Sequence, residues 1–126
     1  MKNTLPPIII FLCLIFFVYF ANSSLIALCD NLTESTNEIE DLLEERDFET
    51  AKEKAEDIVN LIDEKTVITA VYINHSDFDN LMDEAHELCL YTKCEDYMES
   101  LIAVNSLKEF AKNIKHLHET NIENIF

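Results

Sequence analysis

Apolar residues along this chain fall into two regimes. Over residues 5 to 21 (LPPIIIFLCLIFFVYFA) they run almost unbroken and without charge, whereas beyond Cys29 they recur at steps of three and four, the period of an amphipathic helix. Four periodic stretches follow. Over residues 25 to 43 the stripe holds Leu25, Leu28, Cys29, Leu32, Ile39, Leu42 and Leu43 around a polar layer of Ser35 and Thr36. That layer reads either as a register-fixing position in a paired helix or as a small gap in a core stripe. Glu44, Glu45 and Arg46 close the stretch, and Asp47 stands as N-cap of the next. There Phe48, Ala51, Ala55, Ile58 and Ile62 share a face, with Glu53, Lys54, Glu56, Asp57 and Asp63 largely opposite. The small alanines let the preceding helix come close, so this pair predicts an antiparallel hairpin resembling one tetratricopeptide unit. Only one such unit is legible, and no repeat array is expected.

Residues 66 to 73 (TVITAVYI) are β-branched and read as a strand by propensity, but a lone strand has no partner, so the expectation is the buried end of a long helix. Ser76 as cap, with Asp79 in the reciprocal position, opens a third helix with Phe78, Leu81, Met82, Ala85, Leu88 and Cys89 inside. After Thr92 and Lys93 a fourth is expected from about Glu95, its stripe running through Tyr97, Met98, Leu101, Ile102, Val104, Leu107, Ala111, Ile114 and Leu117. The fold class is therefore all-α. A transmembrane anchor over residues 1–28 precedes a small antiparallel bundle of about four helices over residues 29–126.

Composition sharpens this picture. The chain has 126 residues, no glycine and only Pro6 and Pro7, so turns that need positive φ are hard to build and helices joined by short polar turns remain. The formal charge is -16, and because Lys2 is the only base before Asp30, the later part carries 25 acids against 8 bases. Nucleic acid is excluded as a partner on that balance, and anionic lipid would repel the domain. Residues 30 to 99 hold 22 acids and 5 bases, while residues 100 to 126 hold 3 of each with His116 and His118. The last helix is thus the electrostatic complement of the acidic ones.

Seventeen residues at about 1.5 Å rise give roughly 26 Å, and Leu25, Ile26 and Leu28 extend the span past residues 22 to 24 toward a hydrocarbon core of about 30 Å. With Lys2 ahead of the segment and no base until Arg46, the positive-inside rule puts the N-terminus in the cytoplasm and the acidic domain outside. A cleaved signal peptide competes, since Ala21, Asn22 and Ser23 make a small-residue cleavage site. A lipoprotein reading is poorly served by Leu28 before Cys29. Asn31-Leu32-Thr33 and Asn74-His75-Ser76 match the glycosylation triplet, which matters only in a eukaryotic secretory route.

Little chemistry is declared. His75 stands at a helix junction, where it serves either the orphan backbone groups of the helix end or a pairing with Asp79, with Asp77 nearby. Catalysis would also need a nucleophile or a metal, and none is designated. His86, Cys89 and Cys94 form H-x-x-C-x-x-x-x-C, for which three readings stay open: buried thiols, a Cys89–Cys94 disulfide in an oxidising compartment, or a zinc corner at unconventional spacing. Cys13 and Cys29 are expected to pack as apolar residues. His116 and His118, two apart, lie on different helix faces and are expected on solvated surface. The clusters Glu38-Glu40-Asp41-Glu44-Glu45 and Asp77-Asp79-Asp83-Glu84 lack the glycine and fixed oxygen spacing of a calcium loop.

Two stretches are more specific: residues 72 to 81 (YINHSDFDNL), and the ending from Leu107-Lys108-Glu109-Phe110 through Ile114-Lys115-His116-Leu117 to Asn121-Ile122-Glu123-Asn124-Ile125-Phe126. They resemble the bacterial family catalogued as domain of unknown function 4363. The resemblance covers most of the chain and implies a membrane-anchored helical protein of spore-forming Firmicutes, with an apolar residue and His at the Ile73 and His75 positions, an acidic pair around Asp77 and Asp79, and a closing Asn-Ile-Phe. A Trp common on the long middle helix of such proteins is missing here. The expectation is a single-pass, non-enzymatic membrane protein without cofactor, whose extracytoplasmic module meets another envelope protein or a second copy of itself. The alternative is a small metal- or ligand-binding sensor, or a hydrolase, centred on His75 and Asp79.

Overall fold

The computed structural model describes residues 3–66 and 74–125, with side chains through Leu117. The reading of residues 67 to 73 as a buried helix end, and that of His118, therefore lie outside the described residues. The described residues form four helices, in chain order α1 (Leu5–Glu44), α2 (Phe48–Glu64), α3 (His75–Lys93) and α4 (Tyr97–Ile125). The described residues include no strand. Among the described residues α1 packs on α2 and α4, and α3 on α2 and α4, so the four helices close into a ring. The fold is the expected antiparallel bundle.

α1 is longer than the bundle needs. It runs 40 residues without a break, with Pro6 and Pro7 in its first turn, where missing N–H groups cost nothing. Residues 3 to 20 are all exposed, and burial begins at Ala21 and continues through Leu25, Leu28, Cys29, Leu32, Thr36, Ile39 and Leu43. Thr36 settles the polar layer as a gap in the core stripe, since its hydroxyl donates to the carbonyl of Thr33 in its own helix, at 2.8 Å, and fixes no partner.

The second hairpin is built as the first is. Leu32, Thr36, Ile39 and Leu43 of α1 are answered by Leu81, Ala85, Leu88 and Thr92 of α3, and Ala51, Ala55, Ile58 and Ile62 of α2 by Ser100, Val104, Leu107 and Ala111 of α4. Every later residue stands 49 positions beyond its counterpart (Leu32 to Leu81, Ala51 to Ser100), and all of them are buried. The turns match bond for bond. Asp47 N–H donates to Leu42 C=O at 2.9 Å and Arg46 N–H to Leu43 C=O at 3.0 Å; Asp96 to Tyr91 and Glu95 to Thr92 repeat them at 3.0 and 3.2 Å. This is the Schellman closure. An aspartate then caps each following helix: Asp47 accepts from the Thr50 N–H at 3.2 Å and Asp96 from the Glu99 N–H at 3.1 Å.

The closure demands a left-handed residue, and without glycine the chain uses Arg46 (φ 61°) and Glu95 (φ 56°). The turns thought hard to build are therefore built at a cost in strain, of about 1 kcal/mol per position. Glu95→Gly should raise stability by up to about 1 kcal/mol in thermal unfolding. Arg46→Gly should gain less, because the Arg46 guanidinium stacks over the Tyr97 ring at 3.7 Å and links the two turns.

Three further expectations change. α3 is capped by Asn74, whose side chain accepts from the Ser76 N–H at 3.0 Å, so the helix starts before Ser76. α4 starts at Tyr97 because Glu95 is left-handed and Asp96 is the cap. Its inner face runs through Ser100, Ala103, Val104, Leu107, Ala111 and Ile114, leaving Met98, Ile102 and Leu117 exposed, contrary to the stripe read from the sequence.

Candidate functional site

Antiparallel packing sorts the chemistry-bearing residues to the two ends of the bundle. The end where α1 leaves its exposed apolar stretch also holds the close of α2, the start of α3 and the end of α4; the two Schellman turns share the other end. The distance from Ala21 to Glu44 along α1 is about 35 Å.

At the first end His75 opens α3. Its Nε2 lies 3.5 Å from Asp79 Oδ2 one turn on, and its side chain is 91% exposed. Asp77 occupies the first turn of α3, where a carboxylate is favoured by the helix dipole, and is exposed as well. All three are exposed among the described residues.

His86, Cys89 and Cys94 are not gathered. His86 is exposed on α3, Cys89 half-buried toward α2, and Cys94 exposed at the α3 C-cap. Among the described residues no three His, Cys, Asp or Glu side chains are grouped as metal ligands, and all four cysteines are free thiols. Burial pushes the Cys89 thiol up, with Glu56 adding and Lys52 opposing. Burial likewise pushes the Cys29 thiol up to about 11, with Asp30 adding and Lys115 opposing.

Cross-helix ion pairs follow the charge asymmetry. Lys108 Nζ lies 2.6 Å from Glu40 Oε2 and Lys115 Nζ 2.7 Å from Asp30 Oδ1, both joining α4 to α1, while Lys54 Nζ lies 3.2 Å from Glu38 Oε2 between α2 and α1. The charge asymmetry puts the complement on α4, and the spacing of Lys108 and Lys115, two turns apart, is the signal in the sequence for the pairs themselves. A different field surrounds Tyr91. Glu87 pushes its phenol up, burial adds to this, and Glu99, Asp96 and Glu84 add further. Glu84 is itself raised by burial and then by Glu87 and Asp83.

Most of the exposed large apolar residues among those described lie at the start of α1. Its 18-residue window has a mean hydropathy of 2.4 with only 11% of it buried, so by length and composition the helix can cross a membrane. A family described as a domain of unknown function (DUF4363) matches residues 19–125. No curated protein and no solved structure matches the chain.

Proposed function

The chain belongs to the DUF4363 family, and on that premise we propose that it is a non-catalytic, membrane-tethered helical module whose bundle stands outside the cytoplasm and binds a protein partner. One observation carries the reading: α1 is a single helix, fully exposed and apolar through Phe20 and fully engaged in the core from Ala21. Sixteen apolar residues exposed on one helix make a surface larger than soluble monomers leave open, which supports an apolar medium for this part of α1. Continuity of the helix makes the tether stiff and holds the bundle at a set height.

A cleaved leader is the competing use of the same segment. The family match begins at residue 19, inside the apolar stretch, and Ala21, at the cleavage site such a leader would use, is itself packed in the bundle. Both favour retention. The orientation rests on Lys2 ahead of the apolar segment and on no base following it until Arg46.

The test is fractionation of cells expressing the full chain. It should stay with membranes through an alkaline wash, keep residues 5 to 20 by intact-mass measurement, and lose residues 30 to 126 to protease added outside. Phe16→Lys with Phe17→Lys should move most of it to the soluble fraction, since a charge at mid-bilayer costs about 3 kcal/mol on insertion scales. A soluble wild-type chain, or one starting near Asn22, would overturn the tether.

A further inference from the structure

The repeat that relates the two hairpins breaks at one end of the bundle. α2 and α4 start at equivalent positions, Phe48 and Tyr97, yet α2 has 17 residues and α4 has 29, so the twelve residues of α4 beyond Asn113 have no counterpart. α1 is overlong at the same end. It begins 21 residues before Ile26, the position equivalent to the start of α3 at His75. These two helices are neighbours, and ion pairs fix how they lie: Glu40 meets Lys108 at 2.6 Å and Asp30 meets Lys115 at 2.7 Å. Antiparallel helices advance residue for residue, which brings Ile125 level with residues 20 to 23 of α1. α2 stops short of this. By its Lys54–Glu38 pair at 3.2 Å, its last residue, Glu64, comes level with Leu28. Among the described residues the bundle therefore narrows to a stem of α1 and α4, and at that height Ala21 and Leu25 of α1 are each 1% exposed.

We propose that the last two turns of α4 are a second membrane contact, lying in the headgroup layer of the outer leaflet beside α1. The proposal deepens the tether reading above and rests on it. Position selects the occupant. α1 carries no charged residue before Asp30; about 30 Å of it, from Leu5 to Ser24, fills the hydrocarbon core, and a headgroup layer of about 6 Å reaches to Leu28. Residues 118 to 125 of α4 run through that layer and end at the hydrocarbon boundary. Their sequence, HETNIENI, mixes Ile122 and Ile125 with two glutamates, two asparagines and a threonine, a composition for the boundary between water and acyl chains and too polar for the core. Two contacts side by side then set the tilt of the stem, which a single spanning helix leaves to the bilayer.

The chain has no tryptophan, so a single one reports its own surroundings. Four variants of the full chain, Ile125→Trp, Asn121→Trp, Ile102→Trp and Phe16→Trp, are placed in phosphatidylcholine nanodiscs that carry a nitroxide either on the headgroup or deep in the acyl chain. The expected result is that the headgroup nitroxide removes at least about half the emission of Ile125→Trp and Asn121→Trp, and less than about a tenth for Ile102→Trp, about 35 Å from Ile125 along α4. Two stem positions, each checked for wild-type helicity by circular dichroism, keep the test independent of one substitution. Quenching of the stem variants no stronger than that of Ile102→Trp overturns the proposal. So does blue-shifted emission without quenching by lipid, which would make a second copy or another protein the cover of the stem. Phe16→Trp reads the tether separately. Its quenching by the acyl-chain nitroxide upholds the tether whatever the stem does, and its failure to be quenched ends both readings.

Discussion

Leu107→Ala should destabilise the bundle by about 3 kcal/mol, and Ile58→Ala by nearly as much. The two are counterparts in the repeated hairpin, 0% and 1% exposed, each in the middle of the second helix of its pair. Truncation removes apolar contacts and leaves a void that neighbours held by ring-wise packing close only in part. Against a total of about 5–15 kcal/mol, such a loss is large. Thermal and denaturant unfolding of the full chain in mild detergent measures it, with Leu117→Ala, at a position 61% exposed, as the reference expected within about 0.5 kcal/mol of wild type. A costly Ile58→Ala beside a silent Leu107→Ala would mean that the hairpins do not share one core.

The second expected result concerns thiols. Cys94 should react with a water-soluble maleimide at least about a hundredfold faster than Cys29 at pH 8. Cys94 is exposed at the α3 C-cap, whereas Cys29 is buried between α1 and α4 with its pKa pushed up to about 11 by burial and by Asp30. The thiolate is the reacting form, and a pKa near 11 leaves about one part in a thousand ionised at pH 8 before any steric shielding. Peptide mass spectrometry after timed quenching reads both sites. Comparable rates would show that α1 and α4 separate readily. Labelling of Cys94 that appears only after reduction would reveal the Cys89–Cys94 bridge that the spacing allows and the free thiols of the structure do not contain.

Much of the architecture was legible because helix period and charge are local properties. The stripe Phe48, Ala51, Ala55, Ile58, Ile62 and the Asp47 cap appear in the folded chain as they read in the sequence, with Asp47 accepting from Thr50. The cap of α3 was misread by two positions because Asn74, Ser76 and Asp77 are all good caps and only the folded backbone selects one. The face of α4 was misread because Met98, Ile102 and Leu117 are as apolar as the residues that are buried; hydrophobicity alone does not say which side meets a neighbour. The repeat went unseen since its matched positions pair unlike residues, Leu43 with Thr92 and Ala51 with Ser100. Ser100 carries a cost for that substitution, as its buried hydroxyl has no hydrogen-bond partner among the described residues.

For the candidate site, residue types were readable and their gathering was not. His86, Cys89 and Cys94 are near in sequence yet point to solvent, to α2 and to the helix end. Leu90, Met98 and Ile102, conversely, are apolar residues that the folded chain leaves exposed, which no periodic stretch reveals.

Composition and periodicity alone were enough to specify helices, an apolar lead segment and an acidic remainder, because each depends on contacts within a few residues along the chain. The kinship of the two hairpins, the left-handed Arg46 and Glu95, and the exposure of Met98 and Ile102 depended on packing. Burial and backbone closure are settled between helices far apart in sequence, where several local solutions compete and the shared core admits one.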